Sequence, residues 1–316
     1  MAIDPETLAR RQAEAAQYRP HCQVFSTIGW ALLSIFAADL VLQLAAIPLL
    51  YLIPSWADSP LFYWCLSLIS TYGVGFPLFY GLIRPVPPAP LEERNPVGPL
   101  RLGQIYLISV AVLYLTNLLT LAALELVGTL RGRPVSNPVD QILDFPLGLN
   151  LILTCVAAPI FEELMFRRLL LDRLRPYGDA FAVLVSALAF GLLHGNFSQY
   201  FYAFSLGCVF GYLVLRTGCV WQSILLHALI NAISTGLIPL AEALGETGST
   251  LFGMGILGAI LLGCVFFCVL RREIHWNPGA VPLSAGRQWR LLFTSPGFLL
   301  FCVASLIQAV FVLASL

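Results

Sequence analysis

The chain has no lysine and little charge of any kind. Its 316 residues are 59% apolar and only 11% charged, with a mean hydropathy of +0.84, well outside the balance of a soluble globular chain. Seventeen basic and seventeen acidic residues cancel, so the basic excess that draws a protein to nucleic acid is missing, and no nucleic-acid partner is expected. No CxxC pair occurs among the eight cysteines. Cys65, Cys155, Cys208, Cys264, Cys268 and Cys302 all lie in apolar runs, which argues against a disulfide framework or thiolate zinc site and for small apolar filler. There is no HExxH pair, no internal repeat and no low-complexity tract. Residues 1–23 are polar, with Arg10, Arg11 and Arg19, and contain no apolar core of signal-peptide size. The apolar run that follows is too long for a signal core and is expected to be an anchor.

What the chain does have is long apolar runs, at about 24–53, 60–83, 104–127, 147–166, 180–194, 200–215, 220–241, 251–270 and 291–314. A span needs roughly 20 such residues, so the sequence predicts an all-α polytopic membrane bundle of about 8–9 transmembrane helices. The runs at 180–194 and 200–215 are short for a span. Arg84 to Pro99 is rich in proline and charge, and is expected to be a cytoplasmic connection. Four regions follow: 1–103, an N-terminal arm with two spans and the proline-rich linker; 104–146, a third span and a polar loop from Arg131 to Phe145; 147–241, a core; and 242–316, C-terminal spans. With the N-terminus inside, fifteen of the seventeen arginines fall on the cytoplasmic side and only Arg131 and Arg133 fall outside. The positive-inside rule therefore predicts a cytoplasmic N-terminus, in a multi-pass protein of the plasma (inner) membrane.

Three polar groups interrupt the core. Ionisable residues within spans are expensive, and their default reading is a functional site. In Glu162-Glu163-Leu164-Met165-Phe166-Arg167 the two carboxylates point about 100° apart on a helix. Glu163 precedes Arg167 by four residues, the favoured order for a helical ion pair, and Glu162 by five. Glu163 is thus expected to be the structural partner, and Glu162, among Phe, Leu and Met, the general base. Taken alone, the pair is equally an anchor for arginine at the interface. His194 closes the run from Phe181 to Leu193. It lies sixteen residues after Gly178, as Glu162 lies sixteen before it, and Pro176-Tyr177-Gly178-Asp179 is a helix break. An antiparallel hairpin about that turn sets Glu162 and His194 at one height, on the order of 20 Å from it. His227 and Asn231 share one face of the next long helix. Together they suit an oxyanion; taken alone, they also suit interhelical packing, as do Gly191-x-x-x-Gly195 and Gly207-x-x-x-Gly211. The fifth helix is expected to stop within the membrane, leaving Gly195 to Gln199 non-helical beside water.

Over roughly residues 147–240 the chain resembles the CPBP family of intramembrane proteases, which includes the type 2 CAAX prenyl proteases, the Abi proteins and bacteriocin-processing enzymes. The family pattern EExxxR, FxxxH, HxxxN stands here as Glu162-Glu163…Arg167, Phe190…His194 and His227…Asn231, in order. Phe204-Ser205-Leu206-Gly207 matches a weaker family motif. Arg168 departs from the pattern, since many relatives carry Gly there. The resemblance implies an endopeptidase in which Glu162 and His194 activate a water and His227 and Asn231 stabilise the oxyanion. It also implies a second option, a metalloprotease with zinc on Glu162, His194 and His227, which is a three-ligand set with an open water position. The sequence favours direct activation without a cofactor. Expected partners are membrane lipid and a protein or peptide substrate, with prenylated tails and leader peptides both open. A secondary transporter using the same polar cluster, with Asp39 and Glu125, is the competing class.

Overall fold

The computed structural model describes residues 4–89, 94–132 and 146–315. Arg133, with the polar stretch on to Phe145, and residues 90–93 of the proline-rich linker lie outside the described residues. Among the described residues there is no strand, and eight helices are long and apolar enough to cross a membrane, so the protein is an all-α, polytopic bundle. The chain divides into two compact units, Met1–Pro87 with Val281–Ala304 and Pro88–Ala280 with Ser305–Leu316.

In the first unit, helix α1 (Pro5–Leu52) begins well before the apolar run at 24, because Asp4 caps it. Its Oδ2 accepts from the Thr7 N–H at 3.1 Å, and Pro5 occupies the first helical position, where its missing N–H costs nothing. Helix α2 (Pro60–Ile83) packs on α1, and Asp39 accepts from Ser70 at 2.8 Å and from Gln43 at 2.7 Å. Packing between α1 and α2 thus accounts for this intramembrane carboxylate. The run expected as one span at 291–314 is two helices, α9 (Ala285–Thr294) and α10 (Pro296–Ser315), broken at Ser295 ahead of a proline.

The second unit contains α3 (Pro99–Arg131), α4 (Leu147–Tyr177), α5 (Asp179–Leu193), α6 (Phe197–Thr217), α7 (Val220–Ala243) and α8 (Gly245–Glu273). Its core is Val110 of α3, Leu206, Phe210 and Leu213 of α6, and Leu226, Ile230 and Ile233 of α7. Helix α8 packs on α3 and leaves Leu251, Leu257, Leu261 and Val265 exposed, the outward apolar surface of a helix meant for lipid. Helices α4 and α5 form the expected hairpin. Pro176 ends α4, and Gly178 turns the chain with φ +110, a conformation L side chains rarely adopt. Ser186 of α5 donates to the Phe166 carbonyl of α4 at 2.8 Å, and the Phe166 and Phe190 rings meet at 5.1 Å. Small residues then let α6 lie close against α5. A Cβ at Gly207 would sit 2.9 Å from Ala187, and one at Gly191 2.9 Å from the Tyr200 carbonyl.

Helix α5 is 15 residues long, as the sequence indicates, but the break after it is shorter than expected. Only His194 to Asn196 leave the helix, and Phe197, Ser198 and Gln199 form the first turn of α6. The reason is a cap: the Asn196 Oδ1 accepts from the Gln199 N–H at 2.9 Å. Asn196 and Ser198 are 8% and 6% exposed, so protein rather than open water surrounds them.

Four wide, π-helical turns occur among the described residues, at Ile69–Gly75, Leu153–Ala157, Leu164–Leu170 and Ile233–Leu237. Three have a proline two residues beyond their end, namely Pro77, Pro159 and Pro239. A proline inside a helix withdraws one N–H and crowds the carbonyl four residues back, and widening the preceding turn relieves both. The fourth turn has no proline and carries Arg167.

Candidate active site

Glu163 is wholly buried, and its two oxygens serve two partners. Oε2 lies 3.1 Å from the Nε of Arg167, which is also fully buried, and Oε1 lies 3.1 Å from the Nδ1 of His227. A carboxylate only accepts, so the His227 Nδ1 carries the proton in this contact. The Arg167 Nη1 donates to Ser186 at 3.1 Å, and the guanidinium lies 5.0 Å from the centre of the Phe190 ring. A buried charge is tolerable only when paired in this way. The pairing of Glu163 with Arg167 is the one their spacing indicates. The contact with His227 is additional, because spacing along one helix says nothing of what a neighbouring helix brings.

Glu162 faces the other side of the same imidazole, with Oε2 3.8 Å from the His227 Nε2. That distance is too long for a direct hydrogen bond and short enough for a proton to pass through one small rearrangement or a water. The two glutamates therefore clasp His227, one holding it and the other facing its second nitrogen. Phe190 and Phe210 wall the ring, each with a ring centre 5.8 Å away.

His194 is set by its own helix. Its Nδ1 lies 2.8 Å from the Phe190 carbonyl, and its ring stands edge-on to Phe190 at 5.0 Å. A carbonyl cannot donate, so Nδ1 bears the proton and Nε2 is left with its lone pair. Phe190 thereby touches both histidines and Arg167, which gives the FxxxH spacing a physical meaning. The hairpin sets Phe166 against Phe190, and Glu162 and His194 each lie four residues further from the turn. Glu162 also faces His227, at 3.8 Å.

Asn231 points its Nδ2 at the Thr154 carbonyl, 2.7 Å away. Thr154 lies in the wide turn ahead of Pro159, where the helix leaves carbonyls in need of donors, and its hydroxyl also meets that of Thr235 at 3.0 Å. One amide proton of Asn231 is thus engaged with α4, and the amide has a second proton to donate.

Sequence reasoning missed a polar chain behind His194. The Asn196 Nδ2 lies 2.8 Å from the His194 carbonyl and 2.7 Å from the Gln199 Oε1, and the Gln199 Nε2 donates to the Tyr202 hydroxyl at 2.9 Å. The signal was present as Asn196-x-x-Gln199, the spacing of a helix cap with a reaching amide at its third residue. Gln308 and Ser305 of α10 close the same corner: Ser305 donates to the Leu192 carbonyl, and a Cβ at Gly195 would fall 2.6 Å from Gln308.

Among the described residues no group of three or more His, Cys, Asp or Glu side chains is placed to hold a metal ion. The set Glu162, His194 and His227 is therefore not gathered as ligands. One oxygen of Glu163, the next nearest carboxylate, is committed to Arg167 and the other to His227.

No solved structure matches the chain. A Bacillus subtilis (strain 168) protein named "Putative membrane peptidase YdiL" is 30% identical over 103 residues, which cover 32% of this chain and 42% of that relative. Residues 145–233, the stretch holding all three motifs, match the family described as Type II CAAX prenyl endopeptidase Rce1-like, so the resemblance read from those motifs is shown over this part of the chain.

Proposed function

We propose that this chain is an intramembrane endopeptidase that hydrolyses peptide bonds of membrane-associated or lipidated substrates. The observation that carries the reading is the clasp on His227: Glu163 fixes its Nδ1, Arg167 anchors Glu163, and Glu162 stands 3.8 Å from its Nε2. The match of this segment to an endopeptidase family supports it.

In the proposed reaction a water between Glu162 and the Nε2 of His194 gives its proton to the Glu162 carboxylate as its oxygen attacks the scissile carbonyl. The charge that develops on the carbonyl oxygen is met by the second amide proton of Asn231 and by the His227 Nε2. To donate there, His227 must hold a proton on each nitrogen, with Glu163 accepting the one on Nδ1. The proton on Glu162 then moves to the departing nitrogen, the C–N bond breaks, and the carboxylate is restored. Side chains alone carry these steps, so activity is expected to survive metal chelation. The N-terminus is proposed to be cytoplasmic, with prenylated tails and leader peptides as the substrate classes.

The test compares purified wild-type protein with Glu162→Gln in bilayers. Mass spectrometry would identify the membrane proteins that accumulate uncleaved in cells carrying the variant, and those proteins become the substrates in vitro. The wild type should cleave them and the variant should not. Equal processing by both proteins, or ion movement across the bilayer without cleavage, would refute the protease and favour a transporter.

A further inference from the structure

Beside the polar cluster, at the far side of Arg167, lies a cavity of about 60 Å³ lined by Arg94, Arg167, Arg168, Asp172 and Arg175, with apolar walls from α6 and α7. We propose that it is a binding site for a phosphate group, of the kind carried by an anionic lipid headgroup. It shares Arg167 with the polar cluster but takes no part in the proposed peptide-bond chemistry and does not depend on it.

Among the described residues, four arginines line it with two carboxylates at hand, Asp172 in the lining and Glu163 paired with Arg167. Asp172 takes Arg168 at 2.8 Å, and Glu163 takes the Nε of Arg167, so the cavity keeps an excess of positive charge. Arg167 is fully buried, and its Nη2 has no hydrogen-bond partner. A buried donor on a charged group without an acceptor is costly, and an anion in the cavity would supply one. A 60 Å³ space in this measure holds a few waters or one small polyatomic group. Guanidinium forks match phosphate oxygens in pairs, which single carboxylates use less fully.

The place in the fold suits a headgroup. Gly218 lies in the turn between α6 and α7, Val220 begins α7, and Arg175 lies at the end of α4, so the cavity opens at the ends of membrane helices, where lipid phosphates lie. Basic pockets between such helices bind anionic headgroups. The proline-rich linker is pinned around it: Ala89 donates to the Asp172 carbonyl and Asn95 to that of Thr217, each at 2.8 Å. The Gln222 side chain bonds both the N–H and the carbonyl of Val97. These bonds hold Arg94 at the mouth. A bound phosphate would share Arg167 with the carboxylate that holds His227.

The experiment titrates the full-length protein in a neutral detergent at fixed ionic strength and follows its thermal midpoint. The titrants are inorganic phosphate, a short-chain phosphatidylglycerol, and the phosphatidylcholine of the same chains. The expected result is saturable stabilisation by phosphatidylglycerol beyond that by phosphatidylcholine, weakened at least tenfold in Arg94→Gln/Arg168→Gln. Both residues are partly or fully solvent-exposed, so the variant should fold; Arg94→Gln alone, with a smaller loss, serves if it does not. Stabilisation by inorganic phosphate alone, lost in the same variants, would assign the site to a soluble phosphate. Phosphatidylglycerol acting no better than phosphatidylcholine with no response to phosphate, or unaltered affinity in the variants, would overturn the proposal.

Discussion

Replacing Glu163 by alanine should unfold the protein at a much lower temperature than any change at Glu162. Glu163 and Arg167 are both 0% exposed and 3.1 Å apart, so the substitution strands a guanidinium that has no surface exposed to bulk water. What remains for Arg167 is one hydrogen bond to Ser186 and the face of Phe190. A charged hydrogen bond contributes roughly 1.5–3 kcal/mol and a desolvated cation–π contact about 2 kcal/mol, but both exist already and are not gained in the variant. The net loss is therefore that of breaking a buried pair from one side, about 3–5 kcal/mol. At roughly 2–4 °C per kcal/mol for a unit of this size, the midpoint should fall by roughly 6–20 °C. Detergent-phase melting followed by tryptophan emission measures it. The double variant Glu163→Gln/Arg167→Met removes both charges and should recover most of the stability. It should not recover cleavage, because a neutral amide then stands where the carboxylate supported a second proton on His227. Equal melting of Glu163→Ala and Glu162→Ala, or a double variant no more stable than the single, would refute the assignment of Glu163 as a positioning residue.

Glu162→Gln keeps the shape and hydrogen-bonding reach of the side chain, so it should abolish cleavage while shifting the melting midpoint by no more than about 2 °C, the effect of a partly exposed polar change; a parallel loss of stability would argue against a chemical role. Phe190→Leu should cost about 1–2 kcal/mol and lower kcat by roughly tenfold or more, since one ring touches Arg167, His194 and His227, and unaltered turnover would deny that contact a role. Asn196→Ala removes the cap of α6 and the bond to the His194 carbonyl, so about 1 kcal/mol of stability should go together with activity; hydrogen exchange in the first turn of α6 reports the fraying directly. Gly195→Ala places a methyl against Gln308 at a φ of +61, and Gln308→Ser should restore only part of the lost activity, because the backbone strain stays.

The helices were legible because apolar length alone sets a span, and the departures come at their ends. Asp4-Pro5 and Ser295-Pro296 are start signals that an average over apolar residues passes over, so α1 extends upstream and the last run divides. The wide turns leave no mark on periodicity, yet Pro77, Pro159 and Pro239 announce three of them. In the site, spacing within one helix was enough for Glu163 with Arg167 and for Phe190 with His194. It was not enough for His227, which both glutamates claim from α7. Hairpin symmetry set Glu162 and His194 at one height but said nothing of α7, which brings His227 to Glu162. Tyr202 and Gln199 were missed because nothing marks an aromatic and an amide as polar-chain members until the helix start at Asn196 is known.

Helix α5 rises only about 22 Å over its 15 residues, which is less than a bilayer's hydrocarbon depth of about 30 Å, and the residue that follows its end carries the imidazole. A peptide in lipid hides its bonds inside its own helix, and each residue that unwinds presents an N–H and a C=O that hydrocarbon cannot satisfy, at several kcal/mol apiece. A helix of that length would, under the proposed function, set the His194 imidazole, braced by Asn196, Gln199 and Tyr202, at the depth where that unwinding has to happen. Under the proposed function, the short helix would select among segments by how readily they fray, so a glycine or proline near the cut would matter more than the identity of the flanking side chains.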